Sequence, residues 1–432
     1  MKRQFLQNLL ALFARNILTV YKPDVIGITG SVGKTSTKDA ISLVLASHFR
    51  VRASPKNFNT EIGVSLTIIG VADLPRSLFG WLRVFLRALC LILIHNGTYP
   101  SILVLEMGAD KPGDIAYLTS IAPCKIGVLT AIAPAHLEGF GTMENLVQEK
   151  KIIYRHLSSD GVAILNADDK AVFPLTESSN ASVITFGLNP DANVRANEIK
   201  RALRFREGDE SYGGIQCAIS IDDTNMDATF PLIFRIEHLS CILSALAVGN
   251  VYHIPLPQML DWLTHYQAPP GRSRLLPGIK HTLIIDDSYN SSPRAARGAI
   301  DALMEIEIDE KAKRIAVLGD MKELGMQSEH EHRELGKYCS NAGIDLLVTV
   351  GPQAKYIAQS ARESGMNSEI IEVFDRAYEA GRYLQEKIKR GDVILIKGSQ
   401  DVRLEKIVEE LMAQPGRAGE LLVRQEEYWK RK

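Results

Sequence analysis

The chain has 432 residues, of which 46% are hydrophobic and 23% charged, and this composition predicts a soluble globular protein of two or three domains. The 50 basic and 51 acidic residues leave a formal net charge of −1, so the sequence offers no electrostatic footprint for nucleic acid and no such partner is expected. The five cysteines are scattered without a C-x-x-C pair, which argues against a disulfide framework or a zinc site and favours reduced cytosolic thiols.

Two apolar segments bear on membrane association. Residues 1–22 predict an amphipathic helix, because polar side chains interrupt Phe5–Tyr21 and no small-residue cleavage site follows. The segment Ser77–Ile94 is more apolar but contains Arg83 and Arg87, so its apolar part is about half of the roughly 20 residues that a membrane span requires. A helix packed on protein is preferred for residues 77–94, with a membrane-surface helix second and a true span last. With either helix the protein is expected in the cytoplasm, with membrane association left open.

The rest of the chain alternates strand and helix patterns. Continuous apolar runs such as VIGITG, SILVLEMG, TLIIDDS and DVILIKGS are typical of parallel strands covered on both faces, which predicts an α/β fold. A central domain with a mostly parallel sheet is expected at residues 23–265, with a small β subdomain of short antiparallel strands at about 189–232. After the proline-rich stretch Tyr266–Gly278, a Rossmann-like α/β domain is expected at 270–412, followed by a charged tail at 413–432.

A glycine-rich turn follows the first of these strands. It runs through Gly30, Ser31, Val32, Gly33, Lys34, Thr35 and Ser36 and leads directly into a helical pattern. Strand, glycine turn and helix together are typical of a loop whose backbone N–H groups bind phosphate oxygens. In such a loop Lys34 contacts the terminal phosphates and the Thr35 hydroxyl binds Mg²⁺, so the turn predicts an ATP site.

A carboxylate at the end of a neighbouring strand would complete a magnesium site. The run SILVLEMGAD supplies Glu106 directly after five apolar residues, and Mg²⁺ prefers oxygen ligands of this kind. Asp110 and Asp114, which follow closely, are interpreted as caps of the next helix. His136, Lys150 and Lys151 carry little signal alone, since a single histidine is usually structural and helical lysines are usually solvated.

The order and spacing of the motifs resemble those of the Mur ligases. The resemblance extends over about Val25 to Met412 and includes these segments in sequence: GITGSVGKTSTKDAI, KNFNTEIGVSLTII, LVLEMGADKPGDI, AHLEGFGTMENLVQEK, PPGRSRLLPG, DDSYNSSPRAARGAIDAL, VLGDMKELG and IKGSQDVRLEKIVEEL. The YNSSP and GDMKELG motifs favour the branch that adds D-alanyl-D-alanine. The resemblance implies an ATP-dependent acid–amino-acid (peptide) ligase of peptidoglycan synthesis, in which a substrate carboxylate becomes an acyl phosphate that an incoming amine then attacks.

The resemblance also implies the roles of individual residues. Thr35, Glu106 and His136 match metal ligands for two Mg²⁺ ions, and Lys150 matches a lysine that is carbamylated by CO₂ in many members, with Lys151 as the register alternative. Lys34, His136, Lys150 and Arg272 are the expected catalytic residues. On the nucleotide side, the matching residues are Asn57, Arg272, Asp287, Tyr289, Asn290 and Pro293.

Further matches concern the substrates, which by resemblance are a UDP-linked muramoyl peptide and D-alanyl-D-alanine. Asn59 matches a loop facing nucleotide and substrate. Asp320, Lys322, Glu323 and Lys397 are expected to border the incoming dipeptide, although they also fit ordinary turns of a doubly wound sheet. Catalysis would require the two domains to close, and a monomer is the expected state.

The match departs from the family pattern at three places. Family members carry an N-terminal uridine-nucleotide-binding domain before the phosphate loop, whereas here the loop begins at Gly30, so that domain is expected to be missing, replaced or supplied by a partner. Ile242 stands four residues after His238, where members have an asparagine near adenine. Gln400 stands where members commonly have an arginine, and a glutamine lacks the bidentate charged contact to a carboxylate.

Two alternatives stay open from the sequence. A ligase of the poly-glutamate or folyl-polyglutamate type would use the same chemistry on a different acceptor and would suit a short N-terminus. An inactive nucleotide-binding scaffold of cell-wall enzymes belongs to another class, and the joint presence of Lys34, Glu106, His136 and Lys150 speaks against it.

Overall fold

The computed structural model divides the chain into two units. The first comprises residues 1–199, 217–228 and 237–264, and the second comprises residues 200–216, 229–236 and 265–432. The two units thus separate near residue 265, but two short segments between 200 and 236 group with the second unit rather than the first. The structure describes residues 2–55, 58–133, 137–173, 181–206, 212–425 and 429.

The first unit is built on a nine-stranded sheet in which β1 is an interior strand between β4 and β3. β1 pairs in parallel with β3 on one side and with β4 on the other, and its residues after the first are buried. Burial on both faces explains why these strands are continuous apolar runs. The strands, in the spatial order β10-β9-β7-β6-β5-β4-β1-β3-β2, are β1 Asp24–Thr29, β2 Val51–Ala53, β3 Ile102–Glu106, β4 Ile126–Leu129, β5 Val162–Asn166, β6 Ser182–Gly187, β7 Val194–Arg201, β9 Ile215–Ile221 and β10 Thr224–Phe230.

The helices of the first unit cover this sheet. α1 contributes Leu10, Ala14 and Ile17 to the core, at the spacing of a single helix face, and packs there with residues of α3. α8 is apolar on almost every side and is buried along most of its length. The helices are α1 Lys2–Tyr21, α2 Lys34–Ala46, α3 Glu61–Ile69, α4 Leu78–Leu93, α5 Asp114–Ile121, α6 Leu137–Phe140, α7 Met143–Arg155, α8 Leu239–Val251 and α9 Leu256–Leu263.

The strands between residues 189 and 232, where a small β subdomain is expected, continue the nine-stranded sheet. β7 pairs in parallel with β6, through Phe186 and Val194, and the order of strands places β7, β9 and β10 at one end of the sheet. The polar residues of β7 and β10 reflect one solvated face.

The second unit has its own six-stranded sheet, and together the two sheets confirm the predicted α/β fold. Its order is β11-β12-β17-β14-β15-β16, parallel except for the antiparallel edge strand β11, which the proline-rich stretch forms. A short pair of β8 Arg204–Phe205 and β13 Glu307–Ile308 is separate. The other strands are β11 Arg274–Gly278, β12 Thr282–Asp287, β14 Arg314–Gly319, β15 Leu346–Val350, β16 Ile371–Phe374 and β17 Val393–Lys397. The helices are α10 Pro293–Met304, α11 Ser328–Ala342, α12 Lys355–Glu363, α13 Ala377–Lys387, α14 Glu405–Leu411 and α15 Ala418–Leu421.

The apolar segment 77–94 forms α4, which packs on the first unit. Val84, Ala88 and Leu91 are its buried residues and join the main core, as expected for a helix packed on protein. None of the described helices combines the length and the apolar character needed to cross a bilayer.

The charged tail, expected to be helical or loose, is anchored in the second unit. Leu421 and Leu422 pack in its core. Arg424 is buried and its Nη1 lies 2.9 Å from Oε2 of Glu405, which is also buried, while its Nη2 donates to the Tyr289 carbonyl at 2.8 Å. The tail therefore supports the backbone that carries Tyr289.

Replacing Arg424 should destabilise the second unit. Arg424→Ala removes one of two partners of the buried Glu405 carboxylate, so we expect the free energy of unfolding to fall by about 3 kcal/mol. Hydrogen–deuterium exchange of second-unit peptides in increasing urea measures this change. Arg417→Ala, which breaks an exposed ion pair with Glu420, is the matched control and should leave the exchange unaltered. Equal exchange in the two variants would contradict the anchoring role.

Candidate active site

The glycine-rich turn forms a tight loop between β1 and α2. Gly33 lies directly before α2 with φ 87°, and Gly30 has φ 148°. A Cβ on Gly30 would lie 2.1 Å from Oγ1 of Thr130, so only glycine fits against the end of β4. Lys34 folds back over the loop and donates from Nζ to the Gly30 carbonyl at 2.8 Å. This is the local geometry of a phosphate-binding loop.

The residues that follow β4 hold the loop in place. The Ser31 N–H donates to the Ala131 carbonyl at 2.7 Å, and the Thr130 hydroxyl donates to the Val32 carbonyl at 2.6 Å. Oγ of Ser31 is buried without a hydrogen-bond partner among the described residues. A buried hydroxyl that lacks a partner here fits a loop whose ligand supplies oxygen atoms.

The strand-end carboxylate lies beside the first turn of α2. Glu106 is buried, and its Oε2 accepts a hydrogen bond from the Thr35 hydroxyl at 2.9 Å. Its Oε1 accepts from Nδ2 of Asn59 at 3.1 Å. The predicted pair of Thr35 and Glu106 is thus formed, and Asn59 joins it.

These oxygen atoms fit Mg²⁺, which takes few protein carboxylates when it also binds phosphates. The described part of the chain contains no group of three histidine, cysteine or acidic side chains that could hold a metal by themselves. A magnesium ion here would be held by Thr35 and Glu106 together with phosphate oxygens.

Lys150 is a buried amine on α7. Burial first and the nearby positive charge of Lys34 second lower its pKa from 10.5 to about 8, against the opposite effect of Glu149, Asp110 and Asp114. Lys151, the register alternative, is only partly buried. The structure therefore distinguishes the two lysines, and Lys150 is the one with an unusual environment.

A single cavity of about 620 Å³ brings several predicted residues of the first unit together. Gly30, Ser31 and Lys34 from the phosphate loop line it together with Asn59 and Lys150. The remaining lining residues are Gln4, Gln7, Thr60, Glu61, Gly108, Ala109, Asp110, Lys111, Asp114, Leu118 and Leu146.

Two residues that stabilise the walls of this cavity were not predicted from the sequence. Glu149 is buried and accepts hydrogen bonds from the N–H groups of Gly113 and Ile115, at 2.8 and 2.7 Å, so it caps α5 in place of the expected Asp110 or Asp114. Asp114 instead accepts from the N–H groups of the preceding turn. Gln7 of α1 is the second support and donates from Nε2 to Oε1 of Glu61 at 3.2 Å. The sequence does contain a signal for this contact, because a glutamine on the buried side of an apolar helix indicates a polar partner.

In the second unit, three predicted residues meet at the ends of β12 and β17. Asp287 and Lys397 are register partners, and their Oδ2 and Nζ atoms lie 2.7 Å apart in a buried ion pair. Lys397 also donates to the Asn290 carbonyl at 2.9 Å. The contacts thus group Lys397 with the nucleotide-side residues Asp287 and Asn290, whereas the sequence grouped it with the dipeptide side.

Tyr289 lies between two arginines of the same unit. The Arg272 guanidinium is 4.3 Å from the centre of the tyrosine ring and that of Arg424 is 5.7 Å away. Gly271 (φ 70°) bonds to this segment, since its carbonyl accepts from the Tyr289 N–H and its N–H donates to Asp286. Burial raises the pKa of the Asp286 carboxyl to about 6, against the lowering effect of the hydrogen bonds that Ser288 and Gly271 donate.

The remaining second-unit candidates follow β14. Asp320 is buried and accepts from the N–H groups of Gln353 and Ala354, at 2.9 and 2.8 Å, just before α12. Asp320 therefore stabilises an ordinary turn of the doubly wound sheet, which is the alternative that the sequence left open for this residue. Lys322 and Glu323 are exposed, and Glu323 has a positive φ of 64°.

His136 and Asn57 lie outside the described residues, so their expected roles remain predictions. Ile242 is fully buried within α8, and Gln400 is exposed at the start of a short 3₁₀ helix. Pro293 is the first residue of α10.

The loop, the strand-end carboxylate and the α/β fold together define a P-loop nucleotide-binding protein. Residues 89–233 match the Mur ligase middle domain, and residues 271–400 match the Mur ligase glutamate ligase domain. The UDP-N-acetylmuramoyl-tripeptide–D-alanyl-D-alanine ligase of Mycobacterium leprae is 30% identical over 415 residues, covering 88% of this chain and 72% of the relative. The chain belongs to the Mur ligase family, whose members are ATP-dependent peptide ligases.

Two further relatives agree with this assignment. The ligase of the same name from Rickettsia prowazekii is 28% identical over 392 residues, covering 90% of this chain and 78% of the relative. Among solved structures, the MurF ligase of Thermotoga maritima in complex with ADP matches with a TM-score of 0.71 and 28% identity, covering 94% of this chain and 83% of that one.

The glycine at position 30 provides a test of the phosphate loop. Gly30→Ala places a methyl group against Thr130 and should weaken binding of Mg²⁺–ATP by about tenfold or more, as measured by titration calorimetry. Gly97→Ala is the matched control in the same unit, because no atom lies within 4 Å of its added Cβ. Unchanged affinity in a Gly30→Ala variant with a normal melting curve would show that ATP binds elsewhere.

Proposed function

We propose that the chain is an ATP- and Mg²⁺-dependent ligase that joins D-alanyl-D-alanine to a UDP-N-acetylmuramoyl-tripeptide in peptidoglycan precursor synthesis. One observation carries the proposal: the phosphate loop and the buried amine of Lys150 line the same cavity of about 620 Å³. The names of the relatives supply the substrates. Terminal phosphate and acceptor carboxylate would meet in this cavity.

The chain's own residues would act mainly by positioning and charge neutralisation. Lys34, held over the loop by the Gly30 carbonyl, would move its ammonium group to the terminal phosphate when ATP is bound. Thr35, Glu106 and His136 would hold magnesium, with two ions expected, and the metal would supply charge stabilisation for the phosphates. The acceptor carboxylate would then attack phosphorus, and ADP would leave.

Lys150 would serve as a carbamate. Its neutral amine attacks CO₂ and loses a proton, which converts a cation into an anionic oxygen ligand. An amine with a pKa of about 8 is about half neutral at pH 8, whereas a lysine with a pKa of 10.5 is neutral in only about 0.3% of molecules. A carbamate would also remove the repulsion between Lys34 and Lys150.

The second unit would bind the rest of the nucleotide and the incoming amine. We assign Arg272, Asp287, Tyr289 and Asn290 to the nucleotide side, together with Asn57 of the first unit. Lys322 and Glu323, with Asn59 of the first unit, remain the proposed substrate residues. Asp320 would support the turn before α12, and Lys397 would position Asp287 and Asn290. Gln400 offers the incoming carboxylate a neutral amide, which would weaken that contact relative to an arginine.

The proposal includes the setting of the reaction. The use of ATP as a substrate indicates the cytoplasm. All the proposed site residues come from one chain, so a monomer would be sufficient for the reaction. Residues 77–94 would touch a membrane surface. A folyl-polyglutamate-like acceptor and an inactive scaffold remain the alternatives, and the relatives' names favour D-alanyl-D-alanine over both.

Product formation tests the proposal. The purified chain is incubated with ATP, Mg²⁺, UDP-N-acetylmuramoyl-tripeptide and D-alanyl-D-alanine, and the product is identified by mass spectrometry while phosphate release is recorded. Glutamate and other amines form the comparison panel. We expect product and phosphate with the dipeptide; phosphate release that no amine stimulates would favour the scaffold.

Lys34→Ala should abolish this turnover with little change in the melting temperature. The loss of a charge that neutralises the transferred phosphoryl group removes the main protein contribution to the step. Lys170→Ala, at an exposed lysine of the same unit, is the matched control and should retain full activity. Residual activity of Lys34→Ala close to the wild-type rate would refute the assignment.

Lys150→Ala should lose activity and recover part of it when short carboxylates such as formate or acetate are added. The carboxylate would replace the carbamate oxygen atoms in the space left by the side chain. Phosphate release over a range of carboxylate concentrations measures the rescue. Lys151→Ala is the control and should be active without additives. If no concentration rescues Lys150→Ala, the carbamate belongs to Lys151 or does not form.

A further inference from the structure

The outer face of α4 is an exposed apolar stripe. Five leucines recur at the spacing of one helix face, and each is between 43% and 89% exposed: Leu78, Leu82, Leu86, Leu89 and Leu93. Phe79 and Ile94 extend the stripe and are also exposed. A helix of 16 residues spans about 24 Å. A contiguous apolar stripe of this length is typical of a surface that binds another protein or a membrane.

α1 enlarges this surface. Phe13 of α1 packs on Phe85 of α4 with ring centres 5.7 Å apart, and the Tyr21 hydroxyl donates to the Leu91 carbonyl at 2.9 Å. The exposed apolar residues of α1 are Phe5, Leu12 and Val20, again close to one face of the helix. The exposed apolar residues of these two packed helices are together called the α1–α4 surface.

The two sequence segments that form these helices carry charges of one sign. Residues 1–22 and 76–95 contain no aspartate or glutamate, although the whole chain has 51 acidic residues and a net charge of −1. Asp24 and Asp73 lie just outside these two segments. The basic residues within them are Lys2, Arg3, Arg15, Lys22, Arg76, Arg83 and Arg87.

This chemistry fits a lipid surface with anionic headgroups. Leucine and phenylalanine enter the boundary between headgroups and acyl chains, while arginines lay their aliphatic stems along it and reach the phosphates. A convex helix face without acidic residues offers a protein partner neither a groove nor paired charges. The described helices are too short or too polar to span, so the contact is interfacial.

We propose that the α1–α4 surface docks on the surface of a bilayer that contains anionic lipids. The inference rests on the proposed contact of residues 77–94 with a membrane and deepens it by adding α1 and the lipid charge. Gln4 and Gln7, on another side of α1, line the 620 Å³ cavity, so docking holds the cavity close to the bilayer.

Vesicle binding of the full chain tests the proposal. The chain is sedimented with vesicles of phosphatidylcholine alone and with vesicles that also contain phosphatidylglycerol. We expect binding to the mixed vesicles that weakens as salt is added. The combined change Leu82→Ser, Leu86→Ser and Leu89→Ser should reduce the partition coefficient by about tenfold or more. Arg83→Gln should reduce it by about fivefold.

The matched control carries the same kind of change at exposed residues elsewhere. Leu188→Ser, Met326→Ser and Tyr378→Ser together should bind vesicles as the unaltered chain does. Equal binding of the two triple variants, or equal binding to both kinds of vesicle, would overturn the proposal. A dimer without lipid that the first triple variant dissociates would identify a second copy as the occupant and would overturn it as well.

Phosphate release measured on the same preparations separates this inference from the proposed activity. Absent vesicle binding with normal dipeptide-dependent turnover refutes the docking surface alone. Normal binding without turnover refutes the ligase assignment alone.

Discussion

The position of β1 between β3 and β4 is the constraint on which the candidate site depends. Since β1 pairs in parallel with β3 and β4, the carboxyl ends of three strands meet at one edge of the sheet, with Ile28 opposite Glu106. Thr35 can then reach Glu106, and Thr130 can hold the loop by its Val32 carbonyl. The fit of Gly30 against Thr130 is a consequence of the same strand order. A loop that followed an edge strand would have one neighbouring strand and would lack either its carboxylate or its support.

Lys150 illustrates how burial changes the pKa of an amine. A buried ammonium near another ammonium is unfavourable, so the pKa of Lys150 is lowered. Among the described residues, the nearby carboxylates of Glu149, Asp110 and Asp114 offset this effect only in part. The adjacent Glu149 is already engaged by the backbone of α5. Its charge therefore fixes α7 against α5 and leaves the neighbouring amine facing the cavity. Two consecutive residues of one helix thus differ in their surroundings, since Glu149 is bound to the backbone and Lys150 lines the cavity.

The sequence predicted those features that have a local signal. Continuous apolar runs mark the parallel strands, and a glycine turn after one of them and Glu106 after another mark the edge where the site lies. Contacts between distant segments carry no such signal, which is why the cap of α5 by Glu149 and the pairing of Asp287 with Lys397 were not foreseen. The pairing of β7 with β6 was missed because polar alternation reports a solvated face and not the neighbouring strand. Family resemblance identified Lys150, but only its burial distinguishes it from Lys151.

α1 contacts three parts of the first unit: the core, the cavity wall and α4. Leu10, Ala14 and Ile17 attach it to the core, Gln7 bonds to Glu61 at the cavity, and Phe13 and Tyr21 attach α4. One helix thus carries apolar residues of the α1–α4 surface on one side and cavity-lining glutamines on another, because polar and apolar side chains recur at the helical period. The contacts of Gln7 and Phe13, six residues apart, show how closely the two sets are interleaved along the chain.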